Sequence, residues 1–185
     1  NKTSGINLNF SFKTDYPIHL NPKFVINYVT KKKEIIAQDT NNVLYLISLE
    51  GKLIWKKNID SKIIGEIHQI DLYKNGRLQY AFNTENDFQI IDKNGKKVKE
   101  IKNKNYLGLT IFDYDKVKNY RFILFDNDIK LLDSKMKNVR GFNKKNIKGT
   151  QRNNPKHFRI GKKDYLLFNS NNKLKITDRR GNIRI

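Results

Sequence analysis

Apolar residues along this chain fall into short runs with a period near two, and each run stops at a small polar residue. The run Leu44-Tyr45-Leu46-Ile47 ends at Ser48, turns through Leu49-Glu50-Gly51-Lys52 and resumes as Leu53-Ile54-Trp55-Lys56. Three further stretches share the form: Phe88 to Glu100, Ile129 to Gly141 and Leu174 to Ile185. Ser48, Asp92, Asp133 and Asp178 open the four turns, at steps of 44, 41 and 45 residues. A second strand precedes each copy: Glu34 to Asn42, Leu78 to Asn86, Phe122 to Asp128 and Tyr165 to Asn172. These end in Asn, Asp, Ser or Thr, which close turns by bonding their own backbone. Further upstream lie FVINYVTKKK, EIHQIDLYKNG, LTIFDYDKVKN and HFRIGKK, each ending in a basic turn.

Four short antiparallel strands recurring at 40-odd residues describe the blade of a β-propeller. Alternation at period two, with β-branched and aromatic residues, excludes helical repeats of similar length. A β-sandwich is the structural alternative, and it calls for no fixed period. The predicted class is therefore all-β: one β-propeller region over residues 1–185, made of four four-stranded antiparallel blades at 16–58, 62–103, 105–143 and 147–185. Four blades make a narrow ring, commonly stapled by a disulfide that a Cys-free chain cannot form. The expectation is part of a larger propeller. A closed four-blade ring and the pairing of two chains are the other ways to complete it.

The first copy, Leu44 to Ser48 with Gly51 to Trp55, resembles the repeat of quinoprotein-type (PQQ-like) propellers, found also in BamB-type outer-membrane assembly lipoproteins. That resemblance implies that Trp55 packs between adjacent blades; Lys99, Arg140 and Ile185 stand at the equivalent positions. The second copy, from Asp71, also resembles FG-GAP-like blades, with Tyr73 and Asn75 where calcium-binding versions carry acids. The phrasing is similar to exported propellers of flavobacterial type, which implies a bacterial envelope, with cytoplasm as the other possibility.

Composition adds charge and removes chemistry. The 185 residues are 37% hydrophobic with a mean hydropathy of -0.74, enough for a folded core. With no cysteine, thiolate catalysis and Cys-ligated zinc are excluded. No motif of a zinc protease, serine hydrolase or P-loop enzyme occurs. His19, His68 and His157 sit at unlike positions in their repeats, so they read as surface or hydrogen-bonded residues. Asp113 and Asp115 fall two apart, on one face of a predicted strand, with too few neighbouring oxygens for calcium. The recurring turn aspartates are accounted for by backbone bonding. The expectation is a non-catalytic scaffold without cofactor or metal.

The formal net charge is +20. Abundant Lys beside Asn and Ile is what an AT-rich genome writes at permissive positions, so charge alone does not name a partner. Its placement says more, because the first-to-second and third-to-fourth turns of a blade share one end. That end collects Lys31, Lys32, Lys33, Lys96, Lys97, Arg179 and Arg180, while Asp39, Glu85, Asp87, Asp126 and Asp128 go to the other. The connection from Asn143 to Lys156 adds Lys144, Lys145 and Arg152, and no acid occurs from Ser134 to Lys163. A solvated loop is the plain account of that run. These ten basic residues are the candidate partner-binding set. They suit a protein partner, or in the alternative a nucleic acid or other anionic surface. Phe142 and Phe158 flank the run, as base-stacking or core residues.

Overall fold

A computed structural model describes residues 10–102, 106–125, 128–147, 149 and 153–185. Its strands are β1 (Ile18–Ile26), β2 (Lys33–Asp39), β3 (Val43–Ser48), β4 (Leu53–Asn58), β5 (Ile63–Ile70), β6 (Gln79–Thr84), β7 (Asp87–Ile91), β8 (Lys97–Lys102), β9 (Gly108–Tyr114), β10 (Asn119–Phe125), β11 (Ile129–Asp133), β12 (Lys156–Ile160), β13 (Lys163–Ser170) and β14 (Lys173–Asp178). They form four antiparallel sheets in simple chain order: β1 to β4, β5 to β8, β9 to β11 and β12 to β14. The β-propeller repeat expected from the sequence is present.

One local device repeats in all four sheets. The oxygen of Ser48, Asp92, Asp133 or Asp178 accepts from the N–H groups two and four residues on. The backbone of each opener also donates to the carbonyl four residues on and accepts from the N–H three on. That third position needs left-handed backbone. Gly51, Gly95 and Gly181 supply it, and Met136 adopts it at φ 64°.

The third and fourth sheets correct the expectation of four strands. Each has three, with a single bridge where the fourth begins, Leu132↔Asn138 and Thr177↔Ile183. After Val139 the third repeat leaves the ladder at Gly141 (φ 74°) and enters a 3-10 helix at Lys144–Ile147. The segment NVRGF lacks the alternation that holds β4 and β8 in place.

Adjacent sheets pack face to face through three apolar cores. Leu44, Leu46 and Ile36 of the first sheet meet Ile63, Ile67, Tyr80 and Phe82 of the second. Phe88, Ile90 and Ala81 of the second meet Leu109, Phe122 and Leu124 of the third. Ile123, Ile129 and Leu131 of the third meet Leu166 and Phe168 of the fourth, with Ile147 of the 3-10 helix fully buried among them. The opposite face of the first sheet is covered from the N-terminal side. Phe12 packs edge-on against Tyr45, and the Tyr45 hydroxyl donates to Asp39 at 2.8 Å and Asp15 at 3.1 Å. Burial, helped by these carboxylates, pushes the Tyr45 phenol up to about 12.

Trp55 is partly buried on β4, the outer strand of its sheet, and packs against the first core. It still bridges the repeats: the indole N–H donates to the Lys93 carbonyl at 2.7 Å, and the ring tilts against Tyr80.

Candidate functional site

Antiparallel order puts the β1–β2 and β3–β4 turns at one end of the first sheet, and the same holds in the others. Contacts between sheets align these ends. Lys93 Nζ, in the β7–β8 turn, lies over the ring of Tyr28, in the β1–β2 turn, at 5.7 Å. Lys74 Nζ donates to Asn119 Oδ1 at 2.7 Å, and the Tyr114 hydroxyl donates to the Arg179 carbonyl at 3.0 Å.

Lys31 and Lys32 lie in the β1–β2 turn and Lys33 opens β2. Lys96 lies in the β7–β8 turn, Lys97 opens β8, and Arg179 and Arg180 form the turn after β14. All seven are exposed and sit at this turn-bearing end. Among the described residues Lys31, Lys32, Lys33, Lys96 and Arg180 make no ion pair. Lys97 pairs with Glu100 at 2.6 Å, and Arg179 lies 3.5 Å from Asp115. Lys144 and Lys145 start the 3-10 helix instead. Lys144 pairs at 2.6 Å with Asp128, in the turn at the far end of the third sheet, so it stands apart from the seven. Arg152 and Asp126 lie outside the described residues.

The opposite end is less acidic than the sequence suggests. Asp39 and Asp87 are buried, and their carboxylates are taken up by local bonds. Asp39 accepts from the Asn41 and Val43 N–H groups, and Asp87 from Thr84 Oγ1 and Gln89 Nε2.

The acidic candidates are occupied too. Asp71 accepts from the Asn75 and Gly76 N–H groups and pairs with Lys118 at 2.5 Å. Burial pushes its carboxyl up, but Lys118 and the two N–H groups outweigh that and hold it below the usual carboxylate range. Asp113 and Asp115 do not share a strand face. Asp113 lies in β9 and accepts from the Lys118 and Asn119 N–H groups, whereas Asp115 lies in the turn at φ 61° and faces Arg159 at 3.3 Å. Among the described residues no group of three His, Asp or Glu side chains could hold a metal ion.

Sequence reasoning missed two non-local arrangements. His157 Nε2 lies 2.9 Å from buried Asp164, and its ring stacks on Phe112 at 4.9 Å. Phe158 and Tyr165 stack at 5.4 Å on the far side of the fourth sheet, over an open depression of about 830 Å³. Ile160, Ile176 and Ile185 line it, with Lys162, Lys163 and Arg180 at its rim. The alternating pattern of β12 and β13 could have flagged that face; the register that joins them could not be read from it.

No protein-family model matches the chain, and no curated protein matches it in sequence. Solved structures do. Dihydro-heme d1 dehydrogenase NirN, in complex with DHE, aligns over 84% of this chain and 34% of its own, at 15% identity and a TM-score of 0.59. BBS1N in complex with ARL6DN aligns over 87% of this chain and 48% of its own, at 15% identity and a TM-score of 0.58. The Pan2 WD40 domain of Neurospora crassa aligns over 92% of this chain and 49% of its own, at 10% identity and a TM-score of 0.57. The chain thus spans a third to a half of these structures. The likeness shows the fold, a portion of a β-propeller.

Proposed function

We propose that this chain is a non-catalytic β-propeller scaffold that holds a protein partner and works in a bacterial cell envelope. The observation that carries the reading is the repeated turn. The acids that recur through the sequence each capture two backbone N–H groups, so their recurrence is architectural. Propellers present broad surfaces on rigid blades, which suits binding. The BBS1N structure, of the same fold, holds ARL6DN. The envelope part follows from the resemblance to exported propellers, and no helix among the described residues is long and apolar enough to cross a membrane.

A photo-crosslinking residue at Lys31, Lys96 or Arg180, activated in the source cell, should give discrete protein adducts. Adducts absent at all three sites, or a turnover abolished by one acidic substitution, would overturn the scaffold. Recovery of the native chain only in the cytosol would remove the envelope.

The five cations at one end that make no ion pair among the described residues favour a second reading, binding of a nucleic acid or other polyanion. Affinity for heparin or duplex DNA would then fall steeply with salt, through counterion release. It would also fall when Lys31, Lys32, Lys33, Arg179 and Arg180 are changed together to Gln. Indifference to both would make the charge compositional.

A further inference from the structure

The turns between the first and second strands of the four sheets share one end of the molecule: residues 27–32, 71–78, 115–118 and 161–162. Three of these turns hold an apolar side chain out in solvent. Val29 is 60% exposed, Tyr73 54% and Val117 53%. Each belongs to a sheet whose following neighbour is in place, and is exposed all the same. Single exposed apolar residues are ordinary on a surface. One in each of three corresponding turns is a pattern, and the backbone of the same turns adds a second. Lys31 has φ 61°, Lys74 φ 56°, and Lys116 and Lys118 φ 58° and φ 60°. Glycine and asparagine adopt this left-handed conformation more readily than lysine. At the opposite end of the sheets Asn42, Asn171 and Asn172 fill the left-handed turn positions. Lysine at the three tips therefore keeps charge where backbone preference favours a neutral residue.

Charge and shape restrict what meets these tips. Lys31, Lys32, Lys74, Lys116 and Lys162 make no ion pair among the described residues. The two acids of the same turns are engaged: Asp71 by Lys118 and the Asn75 and Gly76 N–H groups, and Asp115 by Arg159 and Arg179. The tips thus present cations and apolar side chains, with both carboxylates already taken up. A protein partner calls for a contiguous apolar patch, whereas these three residues stand on separate turns with lysines beside them. A nucleic acid stacks its bases on aromatic rings, and two of the three tips are valine. An anionic bilayer suits both features, because its headgroups take the lysines while short apolar side chains reach the interface. The turns are also tied side by side. Lys93 over the Tyr28 ring joins the first turn to the second sheet, and Lys74 on Asn119 and Lys118 on Asp71 join the second turn to the third.

We propose that this end of the propeller docks on an anionic lipid bilayer, with Val29, Tyr73 and Val117 entering the headgroup region and Lys31, Lys74 and Lys116 meeting lipid phosphates. This assignment rests on the envelope part of the scaffold reading and names the surface that the basic end meets. The turns that follow the third strands, with Lys96 and Arg180, lie toward the other edge of their sheets and stay open to a protein partner. Docking of this kind needs charge and apolar side chains together, whereas a soluble polyanion needs charge alone.

The test sediments the whole chain with large unilamellar vesicles of phosphatidylcholine, with and without a third of phosphatidylglycerol. Binding to the anionic vesicles should be at least tenfold tighter and should weaken as salt is raised. The triple variant Val29→Ser/Tyr73→Ser/Val117→Ser should lose at least fivefold on anionic vesicles, yet bind heparin as the unchanged chain does. All three sites are exposed, and thermal unfolding checks that the variant folds. Tyr73→Trp, in a chain carrying Trp55→Phe, should emit further to the blue on anionic vesicles and be quenched by brominated acyl chains. Equal binding to the two vesicles overturns the proposal. A triple variant that binds anionic vesicles unchanged, or an emission that does not shift, also overturns it and leaves a plain polyanion surface. A parallel loss of heparin binding in the triple variant would take the apolar tips away from the bilayer. If the vesicles fail while protein adducts form at Lys96 or Arg180, this assignment falls and the scaffold stands. Vesicle binding without an adduct at any site keeps the bilayer and removes the protein partner.

Discussion

Replacing Trp55 with alanine tests how adjacent repeats are joined. Its indole N–H donates to the Lys93 carbonyl across the junction, its ring tilts against Tyr80, and a Cβ added at Gly95 would meet the ring at ordinary van der Waals distance. A neutral hydrogen bond contributes about 1 kcal/mol net, and an aromatic pair about 0.5–1.5 kcal/mol beyond its area. Truncating a fully buried Trp costs about 3–5 kcal/mol. Half-burial places Trp55→Ala nearer about 2–3 kcal/mol, below the value for a core residue. Trp55→Phe keeps most of the packing and loses the N–H bond, so about 1 kcal/mol is expected. Urea unfolding followed by far-ultraviolet circular dichroism reads both without relying on the removed fluorophore. If neither variant shifts stability by more than about 0.5 kcal/mol, the usual range for inert surface changes, the junction is not held as described.

Gly181→Ala should destabilise by about 1–3 kcal/mol in the same assay, since φ is +77° and the new Cβ would lie 2.8 Å from the Asn143 carbonyl oxygen. Asp133→Ala removes the acceptor for two turn N–H groups and should cost about 1 kcal/mol, as loss of a helix cap does. Asp71 has a depressed pKa in the fold, so its stabilisation is complete above the ordinary Asp value of about 3.9 and is lost as pH falls below it. The urea midpoint should drop in that range, less steeply in Asp71→Asn. Burial, and then Lys23, lowers the pKa of His68, which favours the neutral ring in the fold; stability should therefore decline as pH falls below about 6.5, and less so in His68→Gln.

The turns were legible because their chemistry is local: Asp92 and Asp178 bond to N–H groups two and four residues away. Spacing alone then placed Lys31 to Lys33, Lys96, Lys97, Arg179 and Arg180 at the shared end. What escaped was set by loss of pattern or by burial. Gly141 and the weak alternation around it end the third sheet at three strands, and an isolated Gly is ambiguous in sequence. Asp39 and Asp87 looked like surface acids until Tyr45 and Thr84 appeared beside them. The open face of the fourth sheet shows only when Leu174 is set against Leu44, Phe88 and Ile129, which takes burial as well as register.

Zero-length carbodiimide cross-linking with mass spectrometry tests the aligned ends of the sheets most directly, because it joins amines only to carboxylates within ion-pair reach. The account calls for links that cross sheets, Lys23–Glu66 and Lys118–Asp71, and for Lys144–Asp128 at the far end. Links from Lys31, Lys32, Lys33 or Lys96 to Asp128 within one chain, with Lys23–Glu66 absent, would place the turns at opposite ends and contradict it.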